Sequence, residues 1–277
     1  MIGAPKAATT SLHHYLDAHP EIAMTSAMEP HVFSGDGSRW TEERLWWYEA
    51  LFPAEARVRG DASPGYASAP IDAEVPARIA RYVPDARHLY LVRDPVERAL
   101  AHYAQEAMRG DEGRPLEVAI DPDDPYCRYV ACSRYATQLE AFRTHFDADR
   151  IMVLAQTDLR DRRRDALARA FEFVGVDPDF WDRSFETEHN VRGVDNVQLP
   201  GWIERARRAE SGRKLRGMLP DRVRSASSRR LRPLLGRGRG LDLEPSAELR
   251  SRLAETLRPE AARLRELTGQ AFGDWSV

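Results

Sequence analysis

Apolar and polar residues follow a pattern along the chain that predicts helices alternating with short strands. Apolar side chains recur with helical spacing over residues 10–18, 41–52, 73–82, 95–108, 133–145 and 160–174. Short apolar runs, typical of buried strands, occur at residues 22–24, 58–61, 88–92 and 151–154. Because strands that alternate with helices form parallel sheets covered on both faces, we expect a three-layer α/β fold, with a central parallel sheet flanked by helices.

The last third of the chain differs in composition from the rest. Residues 205–239 contain 13 Arg or Lys residues and only two acidic ones, and a final helical pattern covers residues 246–268. We expect one domain over residues 1–277, with an α/β core at 1–190 and an Arg-rich, mainly helical extension at 191–277. The basic run is typical of a solvated helical face, and a lid over a ligand or a surface for an anionic partner are the alternatives.

Overall composition argues against several classes of protein. A net charge of −3 over 277 residues gives no general attraction to nucleic acid or to a membrane surface. No window approaches 18 consecutive apolar residues, and the first residues do not form a basic-then-apolar leader. Cys127 and Cys132 are the only cysteines, and the eight histidines show no ligand spacing. We therefore expect a cytoplasmic protein without a disulfide framework or a metal site.

The strongest candidate for chemistry is the opening segment GAPKAATTS, residues 3–11. A strand end, a tight turn and a helix that starts near Thr9 would direct backbone N–H groups and the positive end of the helix to one place, which makes an anion site. The segment is not a Walker A loop, in which Lys directly precedes Ser or Thr, because two alanines separate Lys6 from Thr9. On these residues alone, an ordinary capped helix after a strand is the alternative.

Lysine is rare in this chain. Of 41 basic residues only Lys6 and Lys214 are lysines. Because ammonium and guanidinium groups are not interchangeable, a lysine retained in this arginine-rich background favours a specific role for Lys6 over generic charge.

Five segments of the chain stand out in order: GAPKAATTSL at 3–12, EPHVF at 29–33, GDASPGY at 60–66, RDPVERA at 93–99 with His102-Tyr103 after it, and Asp274-Trp275. These segments resemble motifs of the PAPS-dependent sulfotransferases, in particular the bacterial and heparan-sulfotransferase-like branch. The resemblance implies a P-loop-like fold related to nucleotide kinases, PAPS as donor and PAP as product, and direct in-line transfer without a metal.

The resemblance also implies roles for individual residues. Lys6 would lie on the oxygen that bridges sulfur and the 5′-phosphate, where charge grows in the transition state. Arg93 would bind the 3′-phosphate through its fork of donors, with a structural salt bridge as the alternative. The residues expected at the donor site are Pro5, Lys6, Ala7, Ala8, Thr9, Thr10, Ser11, Arg93, Ala101, Arg213 and Lys214.

Two positions depart from the family's pattern. Ala8 replaces a usual glycine, which we expect to be tolerated if its φ is negative. Ala101 replaces the serine that hydrogen-bonds the 3′-phosphate, and losing a hydrogen bond to a charged group costs about 1.5–3 kcal/mol. We expect His102 or Arg98 to compensate, or donor binding to be weaker.

Acceptor chemistry is predicted on the other side of the site. By resemblance to the heparan N-sulfotransferases, Glu29 is the candidate general base. A surface acid or a helix cap is the alternative for Glu29, and His31 is the rival base. Asp61 and Ser63 end a strand and are candidates for positioning the acceptor. We expect Trp46, Trp47 and Tyr48 to pack in the core, with an acceptor pocket as the alternative.

The sequence therefore predicts transfer of a sulfuryl group from PAPS to a hydroxyl or an amine of a small molecule, glycan or lipid. A nucleotide kinase that uses ATP and a non-catalytic PAP- or PAPS-binding protein are the alternatives. The sequence leaves the acceptor and the oligomeric state open.

Overall fold

The structure of this chain is a computed structural model, and it describes residues 1–35, 41–53, 55–187 and 243–277. The strands are β1 (Ile22–Met24), β2 (Val58–Gly60), β3 (His88–Val92) and β4 (Ile151–Ala155). The helices are α1 (Thr9–Asp17), α2 (Glu42–Glu49), α3 (Val75–Tyr82), α4 (Pro95–Arg109), α5 (Leu116–Ala119), α6 (Arg128–Ala131), α7 (Tyr135–Arg143), α8 (Gln156–Asp161), α9 (Arg163–Val174) and α10 (Ala247–Thr268). Three short 3₁₀ turns lie at Pro64–Tyr66, Ala148–Arg150 and Arg183–Glu186.

The strands are parallel, and the first residues of the chain connect the two strand pairs. β1 pairs with β2, and β3 pairs with β4. Residues 2–4 hydrogen-bond to β3: Ile2 N donates to Leu89 O (3.0 Å), Leu91 N to Gly3 O (2.9 Å) and Ala4 N to Leu91 O (2.7 Å). On the other side of this segment, Ser63 N donates to Met1 O (3.2 Å) and Ala67 N to Ile2 O (3.0 Å). The opening loop thus leaves the sheet between the chain that follows β2 and the central strand β3.

Several elements form where the pattern predicts them. All five residues of β3 are buried, as expected for a central strand. Pro95 occupies the first turn of α4, where its missing N–H costs nothing, and Asp94 caps this helix by accepting from Glu97 N (2.9 Å). The helix predicted at 160–174 is instead two helices, α8 and α9, because Arg162 between them has a non-helical backbone.

The expectation that Trp46 and Trp47 pack in the core is wrong. No residue of α2 is buried, and Trp46 and Trp47 are 68% and 47% exposed. Tyr48 is the α2 aromatic that turns inward, where its ring packs edge-on against Phe33 at 5.5 Å between centroids. The helix has two turns and contacts the molecule through one narrow side only, so its neighbouring tryptophans remain at the surface.

The helix predicted at the end of the chain is confirmed. Leu249, Leu253 and Leu257 in α10 recur every fourth residue and are buried in a core cluster shared with α4. Glu260 of the same helix accepts from Thr137 N (3.0 Å) and Thr137 Oγ1 (2.6 Å) near the start of α7. The rest of the predicted basic extension, at 188–242, lies outside the described residues. Among the described helices, none combines the length and apolarity needed to cross a membrane.

Gly3 generates a prediction about stability, because the sheet leaves no room for a side chain there. A Cβ at Gly3 would lie 2.8 Å from Tyr90 Cε2 and 3.1 Å from Ala67 Cβ. We expect Gly3→Ala to reduce the free energy of unfolding by about 1–3 kcal/mol through overpacking, measured by urea denaturation. Gly113→Ala is the control, since no atom lies within 4 Å of its Cβ position. Equal stability of the two variants would contradict this packing.

Candidate active site

A cavity of about 1480 Å³ opens where the first segment and β3 end. Pro5, Lys6 and the first turn of α1 line one wall, together with Arg93. Glu29 and His31 line the same cavity. Two groups of motif residues that are distant in the sequence therefore face one space, because the carboxyl ends of parallel strands meet at one edge of a sheet.

The loop before α1 has the geometry of an anion site. Ala8 is the N-cap of α1 and has no side-chain acceptor to cover the helix end. The first turn, Thr9–Ser11, therefore presents its backbone N–H groups and the positive end of the helix dipole toward the cavity. Lys6 adds a compact cation in the same loop.

Ala8 corrects one expectation from the sequence. Its φ is +67°, in the left-handed region, and not negative as its tolerance would require. A non-glycine residue in this region costs about 1–2 kcal/mol, which explains why glycine suits this position. Lys6, Glu29 and His31 also have positive φ, of 71°, 52° and 47°. Four of the five positive-φ non-glycine residues of the described chain therefore line this one cavity, so backbone strain concentrates at the site.

Arg93 is held against the phosphate loop. Its Nη1 donates to Lys6 O (3.3 Å), which joins two motifs 87 residues apart. The hydroxyl of Tyr135 fixes its backbone by donating to Arg93 O (2.9 Å). Trp275 packs against Tyr135 at 5.6 Å between ring centroids, and Ser276 N donates to Asp94 Oδ2 (2.5 Å). The terminal Asp-Trp motif thus supports the placement of Arg93.

Arg98 is a buried charge whose hydrogen-bond partners are all neutral. Its side chain is fully buried and donates to Ser133 Oγ (2.6 Å), Pro5 O (3.3 Å), His102 Nδ1 (3.1 Å) and Tyr129 O. Because an uncompensated buried charge is costly, an anion in the adjoining cavity would stabilise this guanidinium.

His102 lies between Arg98 and the cavity, next to Ala101. Arginine can only donate, so Nδ1 of His102 accepts and its ring proton is on Nε2. Burial lowers the pKa of His102 well below its usual range, and the nearby positive charges of Arg98, Arg128 and Lys6 lower it further. His102 is therefore a neutral ring that can donate one hydrogen bond from Nε2.

Glu29 and His31 form a pair on the opposite wall. Glu29 Oε2 lies 3.6 Å from His31 Nε2, and the two side chains are 46% and 40% exposed. Burial lowers the pKa of His13 in α1, and the charges of Asp17 and Glu29 oppose that shift. Glu29 therefore lies within electrostatic reach of the helix that follows the phosphate loop.

Side chains from three other segments hold the backbone of this pair. His31 N donates to Ser63 Oγ (3.0 Å), and Arg44 Nη2 donates to His31 O (3.1 Å). Two residues further on, Phe33 N donates to Tyr66 Oη (3.3 Å) and Arg78 Nη1 donates to Phe33 O (3.0 Å). Both the backbone N–H and the backbone C=O of His31 and of Phe33 are thus hydrogen-bonded to side chains.

The ring of His31 packs closely against Gly65, where there is little room for a side chain. A Cβ at Gly65 would lie 3.0 Å from His31 Cε1. The segment at 60–66 therefore contributes close backbone approach as well as hydroxyl groups to the site.

The structure places most of the predicted site residues together. Those that line the cavity are Pro5, Lys6, Ala8, Thr9, Thr10, Ser11, Glu29, His31, Arg93 and Ala101. Ala7 is fully buried beneath the loop and donates to Ala4 O (3.1 Å). Asp61 and Ser63 lie behind the Glu29–His31 segment and do not line the cavity. Arg213 and Lys214 lie outside the described residues, and each assigned role stays a prediction.

Sequence reasoning missed Arg44, Arg78 and Tyr135, which bind backbone atoms of site residues. Thr41 caps α2 by accepting from Arg44 N (3.3 Å). The helical pattern at 41–52 does not indicate that the Arg44 side chain reaches His31, because such a contact depends on tertiary structure.

The strain at Ala8 generates a second prediction. We expect Ala8→Gly to raise the free energy of unfolding by about 0.5–1 kcal/mol, because glycine removes the left-handed strain and loses only part of that gain to chain entropy. Ala18→Gly is the matched control, since Ala18 ends the same helix at φ −77°, and we expect it to be destabilised. Thermal unfolding measures both, and a loss of stability in Ala8→Gly would contradict the strain.

Comparisons with known proteins agree with this geometry. Residues 46–182 match the family described as Sulfotransferase family. The human protein named heparan sulfate glucosamine 3-O-sulfotransferase 6 is 25% identical over 281 residues, covering 99% of this chain and 72% of the relative. The mouse protein named heparan sulfate glucosamine 3-O-sulfotransferase 3A1 is 27% identical over 193 residues, and there the match spans 67% of this chain and 47% of the relative.

A solved structure supports the fold over the whole chain. The crystal structure of a sulfotransferase from Alicyclobacillus acidocaldarius superposes with a TM-score of 0.68 and 19% identity, covering 100% of this chain and 97% of that one. The expected P-loop-like fold is confirmed at this level. The family match, the relative aligned over 99% of this chain and the motifs gathered at one cavity agree that the chain is similar to sulfotransferases.

Proposed function

We propose that this protein transfers a sulfuryl group from PAPS to a hydroxyl group, giving PAP and a sulfate ester. The observation that carries the proposal is one cavity with the Lys6 loop on one wall and the Glu29–His31 pair on another. A donor phosphate and an acceptor hydroxyl can meet there between a cation and a carboxylate.

The residues on the first wall suit the two phosphate groups of the donor. Backbone N–H groups at the start of α1 and the ammonium of Lys6 suit the 5′-phosphosulfate. Arg93, at the end of β3, suits the 3′-phosphate, and the Arg98–His102 pair extends that wall. Ala101 has no hydroxyl to offer, so we assign the missing donor to His102 Nε2, with the buried charge of Arg98 behind it.

The proposed reaction is a single in-line displacement. Glu29 takes the proton from the acceptor hydroxyl as the acceptor oxygen attacks sulfur, and the bond between sulfur and the oxygen of the 5′-phosphate breaks. Negative charge grows on that leaving oxygen, where Lys6 stabilises it in the transition state. The electron pair of the broken bond leaves with PAP, and the sulfuryl group ends on the acceptor.

The similarity to sulfotransferases weighs against the ATP-dependent kinase, the first alternative to sulfuryl transfer. The chain spans 72% and 47% of the two relatives compared above, so their acceptor is a proposal here. The first acceptor to test is a glucosamine hydroxyl of a heparan sulfate oligosaccharide, with simple alcohols, phenols and amines beside it. Tight PAP binding without transfer to any of these would favour the non-catalytic alternative.

Lys6 provides the direct test of sulfuryl transfer. We expect Lys6→Ala to lower kcat by about 10²–10³-fold, the usual loss for one preorganised group on developing charge, in a transfer assay with radiolabelled PAPS. Lys6→Arg keeps the charge but not the compact ammonium and is expected to recover only part of the rate. Thermal unfolding near the wild-type temperature shows that both variants fold. Full activity of Lys6→Ala would refute the role of Lys6.

A pair of variants tests which of the two candidates, Glu29 or His31, is the general base. We expect Glu29→Gln to lower kcat by about 10²–10⁴-fold, the range of general base catalysis, while the Kd for PAP changes less than twofold. His31→Asn is the matched variant, because Asn tolerates the positive φ at this position, and we expect a smaller loss. The reverse order of the two losses would make His31 the base.

A further inference from the structure

We infer that Asp61 is a positioning residue that aligns the Glu29–His31 segment through two hydroxyl groups, rather than a residue that contacts the acceptor. The inference rests on the proposed function for its kinetic consequences, but the contacts that carry it are properties of the folded chain alone.

Asp61 accepts hydrogen bonds from three hydroxyl groups. Its Oδ1 accepts from Ser63 Oγ (2.8 Å), and its Oδ2 accepts from Tyr66 Oη (2.8 Å) and Tyr48 Oη (3.2 Å). Burial together with the charge of Asp61 raises the pKa of Tyr66 and Tyr48 far above the usual value. Both tyrosines are therefore neutral donors to this carboxylate.

Two of these hydroxyls also bind backbone amides, one at His31 at the end of the Glu29–His31 segment and one at Phe33, two residues beyond it. Ser63 Oγ accepts from His31 N (3.0 Å), and Tyr66 Oη accepts from Phe33 N (3.3 Å). A hydroxyl has a single proton and two lone pairs, whereas an ionised carboxylate can only accept. Because each hydroxyl donates its only proton in a hydrogen bond to Asp61, each can only accept from the backbone amide that it contacts. This is the role that the two backbone amides require.

Through these hydroxyl groups, Asp61 helps to hold the strained backbone of the Glu29–His31 segment in place. Glu29 and His31 have φ values of 52° and 47°, which persist only when the surroundings hold them. The amide of His31 is fixed by a hydroxyl whose direction Asp61 sets. Since a misplacement of about 1 Å at a reacting group can lower the rate 10²-fold, the position of the Glu29 carboxylate depends on a residue that does not line the cavity.

Asp61→Asn tests this arrangement, because an amide both accepts and donates. Its NH₂ group would donate to one of the hydroxyls, which then loses the acceptor for its own proton, so that the orientation of this hydroxyl toward the backbone amide is no longer fixed. We expect the amides of His31 and Phe33 to exchange with deuterium at least tenfold faster than in the wild type, measured by NMR. We also expect kcat with PAPS and a heparan sulfate oligosaccharide to fall about 10–100-fold, while the KM for PAPS stays within twofold.

Tyr48→Phe is the matched control. It removes a hydrogen bond to the same carboxylate, but the Tyr48 hydroxyl binds no backbone amide of the segment, so amide exchange and kcat should stay near wild type. Ser63→Ala is the selective variant, since it keeps the charge of Asp61 and should release the His31 amide more than the Phe33 amide.

Two outcomes would overturn the inference. If Asp61→Asn changes exchange and kcat no more than Tyr48→Phe does, Asp61 only stabilises the fold. If it raises the KM for the oligosaccharide while exchange and kcat are unchanged, Asp61 contacts the acceptor. A wild-type protein that transfers no sulfuryl group would refute the proposed function, and the exchange measurements would still decide the role of Asp61.

Discussion

The site depends on the backbone hydrogen bonds between residues 2–4 and β3. They place the opening segment beside the central strand, so that the loop with Lys6 and the residue that follows β3 leave the sheet at the same edge. Arg93 then reaches the carbonyl of Lys6, and Arg98 reaches the carbonyl of Pro5. The positive wall of the cavity is thus a product of strand order, which explains why a glycine without room for a Cβ stands in this segment.

The two walls are stabilised by different means. The first wall, with Lys6 and Arg93, is backed by the buried charge of Arg98, whose hydrogen-bond partners, including His102, are neutral, and this charge favours an anion in the cavity. The second wall is a strained segment in which side chains bind both the N–H and the C=O of His31. A preorganised cation lowers the reorganisation needed where negative charge develops in a transition state. Strain at the cavity is offset by hydrogen bonds made outside it.

Much of the fold and part of the site could be predicted from the sequence. The buried run at His88–Val92 and the Pro95 turn are local signals, and both are found in the structure. The resemblance in five motifs predicted that Lys6, Glu29 and Arg93 belong to one site, and all three line the same cavity. The position of Asp61 behind the Glu29–His31 segment and the exposure of Trp46 could not be predicted, because both depend on contacts between segments distant in sequence.

A cavity that fits a nucleotide with a 3′-phosphate should discriminate between PAP and ATP in calorimetric titrations of the wild-type protein. We expect PAP to bind at least about tenfold more tightly than ATP, because a hydrogen bond to a charged group contributes about 1.5–3 kcal/mol and ATP has no 3′-phosphate to receive it. If ATP binds as tightly as PAP, the cavity has no site for a 3′-phosphate.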